Sequence, residues 1–244
     1  MIAPRGRISA FKASTVPNRG GVAGQYNKFH GFGGHAANML STGCYELAVG
    51  THNGEIRSVP NVLRLGTGPT TDTALRVTTL RTLNDGIYGL ADMWDPCRPM
   101  DNIHPAFAAN SAEFSSLGCL TVPGSFDNGQ HTGPWARFQA AGGFSAPATR
   151  GNRFNLVLTT GMELAALNAA GAAGASALAR LAHGSTGAEV TALRTTLGLA
   201  ADGPFDAHTK HALTVREQSA QSGSATGIYS LRLEQVLRLS ILTA

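Results

Sequence analysis

A cysteine and a histidine near the middle of the chain are of the types that nucleophilic catalysis requires. Cys119 lies in "EFSSLGCLTVPG", directly after Gly118 and shortly before a Pro-Gly break, and His104 precedes it in "NIHPAF". A thiol at its ordinary pKa is mostly protonated at neutral pH, and a nearby imidazole can turn it into a thiolate that attacks an acyl carbon. The pair therefore predicts acyl transfer through a thioester.

The neighbours of Cys119 suit the same chemistry. Gly118 would let the backbone approach the reacting carbonyl, and the amides of Gly118 and Cys119 would stabilise the tetrahedral oxyanion. Ser116 would hold the turn or contact substrate. A cysteine is also commonly a small core residue, and we interpret Cys44 and Cys97 as core or loop residues. A disulfide between those two is disfavoured by synthesis in the cytosol.

Two other chemistries stay open. Several histidines leave room for a zinc-dependent peptidase, although their spacing is not that of an HExxH helix. These are His30, His35, His52 and His131. Glu113 and Asp127 are candidates for glycoside cleavage only because they lie near Cys119 in the chain. We expect no cofactor and no metal.

Composition restricts the partners. The chain has 244 residues, of which 14% are charged, and a formal net charge of +4. Its basic residues are scattered, which disfavours nucleic acid, whereas a mildly basic protein suits an anionic polymer such as a bacterial cell wall. No apolar run has the length of a signal peptide or a membrane span. We therefore expect synthesis in the cytosol, so action outside the cell would require export by another route.

Residues 1–160 are expected to form a sheet-based domain. Polar and apolar residues alternate in several segments, which is typical of half-buried strands. These segments are "GRISAF", "CYELAVGTH", "NVLRLGTG", "ALRVTTLRTL" and "RFNLVLTT". Glycine and proline clusters separate them.

The pattern changes after Thr160. Residues 161–182 are alanine-rich and are expected to form a helix or connector. In 183–244, Val190, Leu193 and Leu197 share one helical face, Asp206 would cap a second helix, and "SLRLEQVLRLS" predicts a third. The predicted fold class is α+β, with a mainly β first domain and a small three-helix C-terminal domain.

The C-terminal segment "GSTGAEVTALRTTLGLAADGPFDAHTKHALTVREQ" resembles the small peptidoglycan-binding domain of cell-wall hydrolases, over residues 184–237. Arg194 stands where that family often has glutamine, and Arg216-Glu217 where it often has Phe-Gln. The resemblance implies binding to peptidoglycan. The residues it implies are Asp202, Gly203, Phe205, Thr209 and Arg216.

The segment "DNIHPAFAANSAEFSSLGCLTVPG" resembles the catalytic segment of the L,D-transpeptidase family, in a phage-type branch, within a region of about residues 8–138. The resemblance implies an L,D-transpeptidase-like catalytic domain with Cys119 as nucleophile and His104 as proton shuttle. Ser116 and Gly118 complete its Ser-x-Gly-Cys motif. Leu117 replaces the family's second histidine, and the arginine that often follows the cysteine is absent.

The two resemblances together imply a peptidoglycan-active cysteine enzyme that acts on stem peptides of the cell wall, in the periplasm or outside the cell, after lysis or delivery. A lytic hydrolase, either an endolysin or the cargo of a contractile injection system, is the expected form, with a phage-like particle as a further partner. One alternative is a non-catalytic wall-binding protein of a phage tail or injection particle. The other is the zinc-dependent wall peptidase.

Overall fold

Sheets and short helices share the chain, which has a mixed α+β architecture. The computed structural model describes residues 9–16, 38–53, 58–81, 93–107, 116, 118–159, 165, 180–220, 227, 229–230, 237–239 and 241. The strands are β1 (Asn38–Leu40), β2 (Gly43–Asn53), β3 (Ser58–Leu65), β4 (Val77–Arg81), β5 (Met93–Cys97), β6 (Asn102–Pro105), β7 (Leu120–Val122), β8 (Phe126–Asp127), β9 (Gln130–His131), β10 (Arg153–Leu158), β11 (Arg180–Leu181) and β12 (Tyr229–Ser230). The helices with defined bounds are α1 (Gly133–Gly142), α2 (Ala188–Thr196) and α3 (Ala207–Ser219).

A five-stranded sheet, in the order β10–β2–β3–β6–β7, forms the centre of the first part. Its pairs are antiparallel except β6–β7, which is parallel. On β2, Tyr45, Leu47 and Val49 enter the main hydrophobic core, as the alternation in "CYELAVGTH" predicts. The strands predicted in "NVLRLGTG", "ALRVTTLRTL" and "RFNLVLTT" are confirmed as β3, β4 and β10.

Helix α1 packs an aromatic cluster into this core. The hairpin β8–β9 precedes it and turns at Asn128 and Gly129, whose φ angles of 51° and 78° suit a tight two-residue turn. Trp135 stacks on Phe138 at 5.5 Å, and Phe138 meets Phe144 edge to face at 5.6 Å. These rings belong to the core that also contains residues of β6 and β7, so the helix supports the strands that carry the candidate site.

The C-terminal part has a second core of its own. Val190, Leu193 and Phe205 are fully buried in it, and Leu197 packs against it, which confirms the predicted apolar face of α2. Asp206 caps α3 by accepting a hydrogen bond from the Thr209 amide at 2.8 Å, as predicted. Of the predicted third helix, Leu237 is helical, whereas Ser230 belongs to β12 and residues 238–239 are not helical. The other residues of this segment lie outside the described part of the chain.

The C-terminal part packs directly on the first part. Helix α3 lies against β4 and β5 of a second sheet, in the order β1–β4–β5. Thr78 Oγ1 donates to Ala207 O at 2.7 Å, and the Cys44 amide donates to His183 O at 2.8 Å. Most of the predicted connector 161–182 lies outside the described residues. The α3 helix is therefore docked, a relation that the sequence did not predict.

Two local features also differ from the sequence analysis. Residues 180–181 form β11, which pairs with β12 and ties the end of the predicted connector to the C-terminal core. Of the strand predicted in "GRISAF", only residues 9–11 are described, and these three are not in a strand. Nearby, Ser14 forms an isolated bridge to Thr121 on β7.

Replacement of Thr78 by valine tests the docking of α3. The valine keeps the shape of the side chain but removes the hydroxyl that donates to the Ala207 carbonyl at the start of α3, so we expect a loss of about 1 kcal/mol in the free energy of unfolding. Urea denaturation followed by circular dichroism measures this loss. Thr71→Val, at an exposed position, is the matched control, and equal effects of the two substitutions would contradict the docking contact.

Candidate functional site

The parallel pairing of β6 and β7 brings the candidate histidine and cysteine onto neighbouring chain segments. Ile103 pairs with Leu120, and His104 with Thr121. Ile103 and Leu120 face the main core, so strand alternation directs His104 to the opposite face. Cys119 lies one residue before β7, beside Asn102, and Asn102 Nδ2 is 3.9 Å from Cys119 Sγ.

Cys119 is held by a local hydrogen bond in a half-buried position. Ser116 Oγ donates to Cys119 O, which supports the predicted role of Ser116 in holding the turn. Burial, and to a smaller extent the charge of Asp101, raise the pKa of the Cys119 thiol to about 12. Hydrogen bonds from the backbone and side chain of Asn102 and the charge of Arg64 oppose this rise in pKa.

Gly118 is required by packing. A Cβ at this position would lie 2.5 Å from Asn38 Nδ2 and 2.8 Å from Asp101 Oδ1. Asn38 Nδ2 donates to Asp101 Oδ1 at 3.4 Å, so the glycine fits against a buried polar pair. The described contacts thus explain the glycine by its close approach to β1, while its predicted oxyanion role stays a prediction.

His104 is buried and has a defined tautomer. Its Nδ1 lies 2.7 Å from Pro105 O and must donate, because a carbonyl oxygen can only accept. Nε2 of the neutral ring therefore carries the lone pair of a base. Burial and the neighbouring His52 lower the pKa of His104 to about 4. Within the described residues, no hydrogen bond joins His104 to Cys119.

The resting pair therefore differs from the expected thiolate–imidazolium pair. A thiol with a raised pKa and an imidazole with a lowered pKa are both neutral at pH 7. Desolvation is the largest cause of both shifts, because it penalises each charged form. Such a pair can act by general-base transfer of the thiol proton during attack, without a preformed ion pair.

His52 and Asn102 belong to this site, although the sequence analysis gave neither of them this role. The His52 ring stacks on His104 with centroids 4.5 Å apart and an interplanar angle of 6°. Asn102 Nδ2 lies 3.0 Å from His52 Nδ1 and donates to Met100 O at 3.0 Å. Asn102 lies two residues before His104 on β6, so strand alternation starting from His104 predicts that both side chains are on the same face of the sheet. His52 is on β2, and no pattern in the neighbouring sequence indicates that it lies near His104.

The five residues implied for wall binding fall into two groups. Phe205 and Thr209 are fully buried, and their described roles are core packing and helix capping. Asp202, Gly203 and Arg216 are exposed. Arg216 lines a cavity of about 240 Å³ at the end of α3. The other lining residues are Ser219, Ala220, Leu237 and Arg238.

Arg194, one of the departures from the peptidoglycan-binding pattern, is a structural residue. Its guanidinium donates to Ala200 O at 2.8 Å and to Pro204 O at 3.0 Å. It also contacts Asp206 Oδ1 at 3.1 Å. The arginine thus holds the loop between α2 and α3 and the N-cap of α3 in one network.

The residues considered for the alternative chemistries are described only in part. No group of three or more histidine, cysteine or acidic residues that could hold a metal occurs among them. His131 Nδ1 accepts a hydrogen bond from Trp135 at 2.9 Å. Asp127 is exposed and accepts from Ser125, while His30, His35 and Glu113 lie outside the described residues. Cys44, Cys97 and Cys119 are all thiols, so the disulfide considered between the first two is not formed.

Comparisons with known proteins add no family assignment. The chain matches no protein-family model, no curated protein and no solved structure. In the described part of the chain, no helix combines the length and apolarity needed to cross a bilayer.

The buried histidine gives a prediction for stability against pH. The folded pKa of His104 is about 4, below its ordinary 6.5, so the unfolded chain binds more protons between these values and stability falls as the pH drops through them. We expect a loss of about 3 kcal/mol from His104. Burial lowers the pKa of His183 to about 4 as well, which adds to the loss.

Urea denaturation at pH 7, 6, 5 and 4 measures this dependence. His104→Gln cannot titrate, so its free energy of unfolding should fall less steeply with acidification than that of the wild type. The same substitution at the exposed His208 is the matched control. An identical slope in wild type and His104→Gln would contradict the lowered pKa.

Proposed function

We propose that the chain is a peptidoglycan-active cysteine enzyme that acts on stem peptides by acyl transfer, in the form of a lytic hydrolase. The observation that carries the proposal is the β6–β7 pairing, which brings Cys119 beside Asn102 on the strand that also holds His104. The fixed Nδ1–H tautomer of His104 supports it, because Nε2 is then available as a base. The sequence resemblances supply the substrate class.

The proposed reaction has two steps. Cys119 Sγ forms a bond to the carbonyl carbon of a stem-peptide amide, and its proton passes to His104 Nε2. The tetrahedral intermediate collapses, the C–N bond breaks, and the proton goes to the leaving amine. Water then attacks the thioester and releases a carboxylic acid; an amine in place of water would give a transpeptidation product.

In this mechanism Asn102 stabilises the developing thiolate. Its backbone and side chain both hydrogen-bond the sulfur and lower the pKa of Cys119 against the effect of burial. Hydrogen bonds to a charged acceptor are stronger than those to a neutral one. The contact at 3.9 Å from Nδ2 to Sγ should therefore strengthen as negative charge builds on the sulfur.

Cys119→Ala tests the enzyme directly. We expect it to reduce release of fragments from purified peptidoglycan by more than about a thousandfold, because the nucleophile acts as a unit with its base. Mass spectrometry of the released fragments gives both the rate and the bond cleaved. Cys44→Ala removes an exposed thiol and should keep the wild-type rate. A folded Cys119→Ala protein that digests the wall normally would refute the mechanism.

A wall-binding protein without catalysis is the second candidate. The specific observation that favours it is the neutral, half-buried thiol of Cys119, which has no hydrogen bond to His104 among the described contacts. In this candidate, the exposed face of the C-terminal part that contains Arg216 would hold the polymer.

Co-sedimentation of the full chain with insoluble peptidoglycan tests the binding face. Arg216→Glu reverses a charge in the cavity at the end of α3, and we expect it to weaken binding to the anionic polymer by roughly tenfold. Arg137→Glu makes the same charge change at an exposed position on α1 and serves as the control. Equal loss in both variants would indicate that only net charge matters.

A further inference from the structure

Arg64 on β3 is a buried cation without a carboxylate partner among the described residues. It is 7% exposed, and its side-chain hydrogen bond is from Nη1 to Thr51 O at 2.6 Å. The ion pairs of the described chain are Arg153 with Glu46 and Arg194 with Asp206. A guanidinium has five N–H donors, and a buried charge is costly unless it is paired. Most of the binding capacity of Arg64 is thus left for another group.

The neighbouring strand β2 leaves room for the side chain of Arg64. Gly50 on β2 has no side chain, and a Cβ there would collide with Arg64 Cδ. The aliphatic part of Arg64 therefore lies across Gly50, and its head group reaches the backbone of Thr51. Any larger residue at position 50 would displace the guanidinium.

A second arginine, Arg150, contacts Thr51 as well. Arg150 Nη1 donates to Thr51 Oγ1 at 3.3 Å. Burial, and to a smaller extent the charge of Arg150, lower the pKa of Arg64, so the two cations are within electrostatic reach of one another. Like charges this close repel, so an anion between them would relieve the repulsion.

This arginine pair adjoins the candidate centre. Arg64 pairs with Asn102 across β3 and β6, and Asn102 in turn contacts Cys119 Sγ. Burial, and to a smaller extent the positive charge of Arg64, lower the pKa of His52, so this cation is within electrostatic reach of the imidazole. The cation, the stacked histidines and the thiol thus lie on adjacent strands.

We propose that Arg64 and Arg150 form an anion subsite next to Cys119, which takes a free carboxylate of the substrate peptide. The planar guanidinium presents paired donors that match a carboxylate. That the anion is a peptide carboxylate rests on the proposed function, whereas the existence of the subsite rests only on the contacts above. Phosphate also binds guanidinium groups, and competition experiments distinguish it from a carboxylate.

The test compares two alkylating reagents of similar size on the full-length protein. Iodoacetate is an anion and iodoacetamide is neutral. A cationic subsite therefore raises the rate of Cys119 alkylation by iodoacetate relative to the rate with iodoacetamide, and this rate ratio is the quantity measured. Peptide mapping by mass spectrometry separates Cys119 from Cys44 and Cys97. We expect the ratio to fall roughly tenfold in Arg64→Gln and roughly threefold in Arg150→Gln, where the charge is more exposed.

Two variants separate an effect of the subsite from a general effect of net charge or of misfolding. Arg137→Gln removes the same charge from the exposed face of α1 and should leave the ratio unchanged. Should Arg64→Gln fail to fold, Arg150→Gln carries the test, since Arg150 is exposed. An unchanged ratio in folded Arg150→Gln, or an equal fall in Arg137→Gln, would overturn the proposal.

Competition identifies the anion. N-acetylalanine, which has a free carboxylate, should slow iodoacetate alkylation of the wild type more than its amide does. Stronger protection by inorganic phosphate than by N-acetylalanine would overturn the carboxylate assignment. Because these readouts need no wall cleavage, failure of the digestion assay with an intact alkylation ratio would remove the proposed function and leave the anion subsite.

Discussion

The parallel pairing of β6 with β7 is the constraint on which the candidate site depends. It is the one parallel pair among the described strands of the five-stranded sheet, and parallel strands need a long connection between them. The connection contains the turn with Ser116 and Gly118, so the thiol returns to the sheet beside Asn102. An antiparallel hairpin at this point would run the second strand in the opposite direction and alter these neighbours.

Burial determines the electrostatics of this site. It lowers the pKa of His104 and raises that of Cys119, so desolvation outweighs the attraction that would otherwise form an ion pair. Asn102 and Arg64 act in the other direction by stabilising negative charge on the sulfur. An anionic ligand at Arg64 would partly neutralise this cation, so ligand binding and thiol acidity are physically linked.

Local sequence patterns predicted individual strands and a helix cap. The contacts between residues on different strands depend on strand order and were not predicted. The alternation in β2 and the Asp206 cap are properties of a few consecutive residues, and both are confirmed. His52 and His104 come from strands on either side of β3, so their stacking follows from strand order, which no local pattern contains. In the same way, the position of Arg64 near the candidate site follows from its cross-strand pairing with Asn102 and cannot be inferred from the sequence around it.

Docking of α3 connects the C-terminal part to the turn that carries Cys119. Thr78 on β4 binds the start of α3, β4 pairs with β1, and Asn38 of β1 packs against Gly118. These contacts form a continuous packed path from α3 to the turn. In the proposed function, its consequence is geometric: a flexible tether would raise only the local concentration of the polymer. A docked module would in addition present the polymer to the thiol from a fixed direction.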